Sequence, residues 1–111
     1  MEQLSEHIRK LLREAMDKAY EKELSSELEK VQASFNRWRG GEISVFELSD
    51  EIHRFHQGPN RKLYVQYTEA NPLLAVAAAV SAGILQLDEL HPDLQLHIER
   101  SLQFFTRTEE G

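Results

Sequence analysis

Over the first third of the chain, apolar side chains return in steps of three and four. They fall at Leu4, Ile8, Leu11, Leu12, Ala15, Met16 and Ala19, then at Tyr20, Leu24, Leu28, Val31, Phe35 and Trp38. That period gathers them on one side of a helix and predicts a long amphipathic helix, or a helix pair, over 1–39. Residues 2–39 contain no glycine or proline, and strong helix formers dominate. A straight helix of this length would measure about 55 Å at 1.5 Å per residue, more than the diameter of a domain of this size. Either it breaks near 22–26, where Ser25 and Ser26 can cap a second helix, or it projects. A projecting helix would bury the stripe 24-28-31-35-38 against a second copy, although about two heptads are short for a coiled coil. The pattern favours one long or kinked helix with a dimer contact.

The next 72 residues carry helix punctuation. Gly40-Gly41 stops the first helix, because glycine takes the left-handed conformation cheaply. Ser44 followed by Glu47 is a capping box, with Ile43 placed to staple onto Leu48. The helix they open is expected to run to about Gln57 with Val45, Leu48, Ile52 and Phe55 inward. Gly58-Pro59 should end it and start a third helix carrying Leu63, Tyr64 and Tyr67 on one side. Asn71-Pro72 repeats the capping grammar ahead of PLLAVAAAVSAGIL, which is apolar on every face. Fourteen residues fall short of the roughly twenty needed to cross a bilayer, so this segment reads as a buried central helix closed by Gly83. After a turn at 88–92, a last helix over about 92–107 has Leu94, Ile98, Leu102 and Phe105 on its core stripe, with 108–111 expected to fray. No strand-like alternation and no internal repeat occur. The expected fold is all-α: a single compact domain over 1–111 of about five helices, with a core spanning 44–107.

Charge narrows the function classes. The formal net charge is −6. Residues 1–39 hold eight acids and eight bases, whereas the remainder holds eleven acids and five bases. A duplex-binding protein would present a basic face, so nucleic acid is an unlikely partner. With no cysteine, disulfides and thiolate zinc sites are excluded, which suits a reducing cytoplasm. The opening MEQLSEHIRKLL lacks the basic-then-apolar order of a secretory signal, and no membrane association is expected.

The densest mixture of chemistry lies in 44–67. His53 and His56 stand at i, i+3 and can share a metal, given a third ligand from Glu51 of a second copy or from His91. The spacing is weaker than an HExxH motif, and a surface His53–Asp50 pair with His56 at a helix end is the plainer reading. The helix start at 58–62 adds Arg61 and Lys62, which suit an anion, with Tyr64 one turn on; pairing of both bases with Asp50 or Glu51 is the plainer alternative. Candidate ligand-binding residues are therefore His53, His56, Arg61 and Tyr64, with His53 and His56 the candidate metal ligands. A helix-turn-helix, with 44–57 crossing and 60–69 reading bases, is opposed by the surrounding acids. No catalytic residue and no cofactor are expected: Ser44, Ser49, Ser81 and Ser101 lie in no nucleophile context. His7, His91 and His97 read as isolated surface or capping residues.

The run WRGGEISVFELSDEIHRFHQGPNRKL, residues 38–63, resembles small uncharacterised bacterial proteins of a domain-of-unknown-function type in its order of Trp, Gly, acidic-Leu, Ile-His, Phe-His-Gly and Arg. That resemblance implies a bacterial cytoplasmic setting and brings no activity with it. The leading expectation is a small cytoplasmic helical protein that acts without catalysis as an interaction module, as a homodimer through its N-terminal helix. The alternative is a ligand, anion or metal site around His53, His56 and Arg61.

Overall fold

The first helix does not break. In the computed structural model, which describes residues 4–110 with side chains through residue 103, α1 runs uninterrupted over Glu6–Arg39. Ser5 caps it by accepting the Ile8 N–H, and Ser25 and Ser26 sit inside it as exposed helical residues. Serine is tolerated there because its side chain points to water and neighbouring helix formers carry the propensity. At its far end Gly41 takes φ +79°. The Glu42 N–H then reaches the Arg37 carbonyl and the Gly41 N–H that of Trp38, a complete Schellman stop.

Next come α2 (Val45–Phe55), a π-helical turn (His56–Asn60) and α3 (Arg61–Thr68). These three run on as one rod over 45–68, so the described residues form four helical rods where five helices were expected. Gly58-Pro59 neither ends a helix nor begins one. Proline has no N–H to donate and its ring collides with the carbonyl four residues back. Widening the helix by one residue per turn relieves both problems, and Phe55, His56, Asn60 and Arg61 keep helical dihedrals throughout. The start of α2 is as the sequence predicts: both halves of the Ser44–Glu47 capping box form, and Ile43 and Leu48 are buried. Val45 points outward and Ile52 is exposed, so two of the positions expected inward are not; Tyr64, expected on one side with Leu63 and Tyr67, is exposed where those two are buried.

Asn71 accepts from the Leu73 and Leu74 N–H groups and opens α4 (Pro72–Ser81), whose Ala75, Val76, Ala77 and Ala79 are buried. Small side chains let α1 and α5 approach this helix closely. Gly83, also at φ +79°, ends it with a second Schellman stop, the Ile84 N–H on the Ala79 carbonyl. A 3-10 turn (Leu87–Glu89) leads to α5 (Pro92–Glu110), which takes in 108–110 of the tail expected to fray. Leu94 and Ile98 are fully buried and Leu102 is partly so; the expected core residue Phe105 lies outside the described side chains. Among the described residues there is no strand.

One apolar cluster joins Ile8, Leu12, Ala15, Met16 and Ala19 of α1 with Leu63 and Tyr67 of α3, the α4 alanines, Leu85, Leu90, Leu94 and Ile98. All of it lies against the first half of α1. Beyond Glu27 that helix runs beside the α2 end of the second rod, and the molecule measures 55 × 33 × 24 Å. Its radius of gyration is 17.7 Å, against about 13 Å for a globular chain of this length. The core is therefore at one end and a two-helix hairpin extends from it.

A charged clamp fastens α1 to the 3-10 turn. Glu89 meets Lys18 Nζ at 2.7 Å and Lys22 Nζ at 3.1 Å, and accepts the Gln86 N–H. The Lys18 contact first, then the Gln86 N–H and Lys22, bring its carboxyl down to about 2 from an ordinary 4.5. A depressed carboxylate contributes stability above its unfolded value and loses that contribution as pH falls through the folded one. Thermal unfolding followed by circular dichroism should show the wild type losing stability between about pH 4.5 and 2, with a shallower decline for Glu89→Gln. Equal slopes would remove the clamp from the account.

Candidate functional site

The hairpin is antiparallel. Arg37 Nη1 donates to Glu51 Oε1 at 3.3 Å near the link, and Tyr67 donates to Glu23 at the other end. Between them a seam is lined by Glu27, Lys30, Val31, Ser34, Arg54 and Phe55. Glu51 Oε2 is buried in this seam without a hydrogen-bond partner, a local cost the fold absorbs.

Tyr67 anchors the inner end. Its ring stacks on Tyr20 at 5.2 Å between centroids and 14° between planes, and Gln66 also donates to Glu23, at 3.4 Å. Burial pushes the Tyr67 hydroxyl well above the ordinary tyrosine range, and the hydrogen bond to Glu23 and that carboxylate's charge push it further. This arrangement holds a proton in place; it presents no reactive group to solvent.

His53, His56, Arg61 and Tyr64 are all exposed on the second rod. No hydrogen bond or ion pair joins any two of them, and among the described residues no third histidine or carboxylate completes a ligand set with His53 and His56. His91, considered as that third ligand, stands instead beside His7 at the opposite end of the molecule. The plainer pairings are not formed either: Asp50 accepts from Arg54 only through its backbone, and Glu51 is taken by Arg37. The helix-turn-helix arrangement is also absent, because α2 and α3 form one rod with no turn between them.

What the hairpin does present is apolar. Nine large hydrophobic side chains are exposed among the described residues, and seven of them (Leu28, Trp38, Val45, Phe46, Ile52, Tyr64 and Val65) lie on the second half of α1 or on the second rod. Helical geometry sorts them. On α1, Leu24, Leu28 and Phe35 lie about 100° round from Glu27, Lys30 and Ser34, which face α2. On α2, Val45 and Ile52 lie about 80° round from Leu48, Glu51 and Phe55, which face α1. Two antiparallel right-handed helices turn these displacements to the same side, so Leu24, Leu28, Phe35, Val45 and Ile52 share one face of the hairpin. Phe46 points away from it. Along α1 the face is shaped by a shallow groove between Leu28, Val31, Gln32, Phe35, Asn36 and Arg39.

An open cleft of about 500 Å³ lies elsewhere, between the start of α1 and α4. Arg9 and Arg13 line it beside Asn71, whose side chain is already committed to capping α4.

Compared with protein-family models, with curated proteins and with solved structures, the chain matches none. No described helix is long and apolar enough to cross a membrane.

The Tyr67–Glu23 bond gives a pH signature. A hydroxyl whose folded pKa is raised keeps its proton where the unfolded chain has lost it, so its contribution is present below about pH 10 and falls above it. Tyr67→Phe should cost about 1.5–3 kcal/mol at neutral pH, the range for a hydrogen bond to a charged group. It should also flatten the alkaline loss of stability in urea unfolding. A variant as stable as the wild type, with the same alkaline slope, would contradict this.

Proposed function

We propose that this chain is a non-catalytic interaction protein of the cytoplasm that works as a homodimer, two hairpins closing on each other through the face of Leu24, Leu28, Phe35, Val45 and Ile52. The observation that carries the reading is the concentration of exposed large apolar side chains on this hairpin. A two-helix layer has one face with nothing packed on it, and stacking a second layer produces a four-helix arrangement with an interior of its own.

Charge favours a second copy over an unrelated partner. Residues 21–29 carry Glu21, Glu23, Glu27 and Glu29 with only Lys22 in opposition, whereas 30–39 carry Lys30, Arg37 and Arg39 and no acid. An antiparallel two-fold pairing centred near Val31 brings the basic end of each α1 over the acidic end of its partner. Among the described residues Arg39, Glu21 and Glu29 have no ion-pair partner. Such an interface is isologous: the same patch serves both copies.

Sedimentation equilibrium on the untagged protein should show a dimer. Leu28→Glu and Val45→Glu should each weaken it at least about tenfold, equivalent to about 1.4 kcal/mol, with helical content and unfolding temperature of the monomer little changed because both side chains are half-exposed. Phe46→Glu, more exposed than either but outside the face, should leave the dimer intact. A monomeric wild type, or a dimer indifferent to Leu28 and Val45, would overturn the proposal.

A further inference from the structure

His7, His91 and Asp93 come together from opposite ends of the sequence. His7 is in the first turn of α1; His91 immediately precedes α5, and Asp93 is in its first turn. His7 Nε2 lies 2.9 Å from Asp93 Oδ2, and His91 Nδ1 lies 3.7 Å from the same oxygen. The two imidazoles stand edge to face, with centroids 5.6 Å apart and planes at 88°. One ligand atom from each residue can be chosen so that all three lie within 4.8 Å of one another.

We propose that this cluster is a binding site for a divalent transition metal of the zinc type, formed only when the chain is folded. The donor set decides the class. Two imidazole nitrogens and one carboxylate oxygen suit zinc, cobalt, nickel or copper, whereas magnesium and calcium prefer oxygen alone. Bonds of about 2.0–2.2 Å to a tetrahedral ion place its ligands about 3.4 Å apart, and the two observed separations to Asp93 Oδ2 bracket that edge. Closing the set draws the three side chains, whose ligand atoms lie within 4.8 Å of one another, in toward the ion. All three residues are exposed, so the fourth position opens to water.

Asp93 Oδ2 already stands against an imidazole nitrogen of each histidine. The ion takes the place of the proton shared between His7 Nε2 and Asp93 Oδ2. It also takes the lone pair of His91 Nδ1, which otherwise accepts the Asp93 N–H at 3.0 Å; that exposed N–H turns to water. Because residues 7 and 91 are adjacent only in the folded chain, the ion bridges the starts of α1 and α5 and raises stability with its concentration. The site lies at the core end of the molecule, away from the hairpin face, and is independent of the dimer.

Calorimetric titration of the untagged full chain with zinc chloride tests this, alongside thermal unfolding with zinc or magnesium at equal concentration. The expected result is one zinc per chain at micromolar affinity or tighter and an unfolding temperature raised by zinc but not by magnesium. His7→Gln and His91→Gln should each weaken binding at least about tenfold, as the loss of one ligand in three requires. Both side chains are exposed, so the variants fold, and the wild-type circular dichroism spectrum confirms it in each. The double variant His53→Gln/His56→Gln should bind like the wild type. No zinc binding in the micromolar range overturns the proposal. So does binding that survives the loss of His7 and His91, or that disappears with His53 and His56.

Discussion

A helix of 34 residues is about 50 Å long, and a chain of this size can surround only about half of it. That mismatch governs the molecule. The first half of α1 is buried by α3, α4 and α5, and its apolar stripe enters the single large core. The second half has α2 on one flank and solvent on the other. The exposure of Leu28 and Trp38 follows from the same arithmetic: the period continues after the neighbours run out.

The two halves answer to different physics. In the core half, alanines on α4 allow close helix approach, and fully buried Leu12, Val76, Leu94 and Ile98 supply the apolar burial that offsets chain entropy. Polar contacts there act as fasteners. Glu89 holds α1 to the 3-10 turn, and Glu23 holds α1 to α3 through Tyr67. In the hairpin half, the satellite pair Ile43 and Leu48 and the Arg37–Glu51 contact align two helices but leave one side open. In the dimer we propose, a second copy turned end over end would supply the missing side, and the acidic-then-basic order of charge along 21–39 would select that orientation.

Much of the fold was legible because its signals are local. Ser44 with Glu47, Asn71 with Pro72, and the glycines at 41 and 83 act within one turn of themselves, and each marks the boundary its chemistry predicts. Gly58-Pro59 misled for the same reason. Locally it is a helix breaker, but packing on both sides, Phe55 against α1 and Leu63 in the core, holds the rod together and a π turn absorbs the proline. The inward assignment of Val45 and Ile52 failed, and Tyr64 parted from the side of Leu63 and Tyr67, because period alone places a stripe without showing how wide its cover is. The cluster of His7, His91 and Asp93 was not legible in the sequence, since His7 lies 84 and 86 residues from His91 and Asp93 along the chain. His53 and His56, conspicuous in sequence, are joined to nothing else by the fold.

The central claim is that the second half of α1 meets its own copy antiparallel, about a two-fold axis near Val31. With no native cysteine, a single introduced one carries a spin label cleanly, and pulsed electron resonance between labels reads the geometry. Labels at Gln32→Cys should lie close together across the axis. Labels at Glu21→Cys, ten residues from it, should be about 30 Å apart along the helix direction at 1.5 Å per residue. Short distances at both positions would mean a parallel pairing, and no dipolar coupling at either would mean that the hairpin face is not the dimer interface.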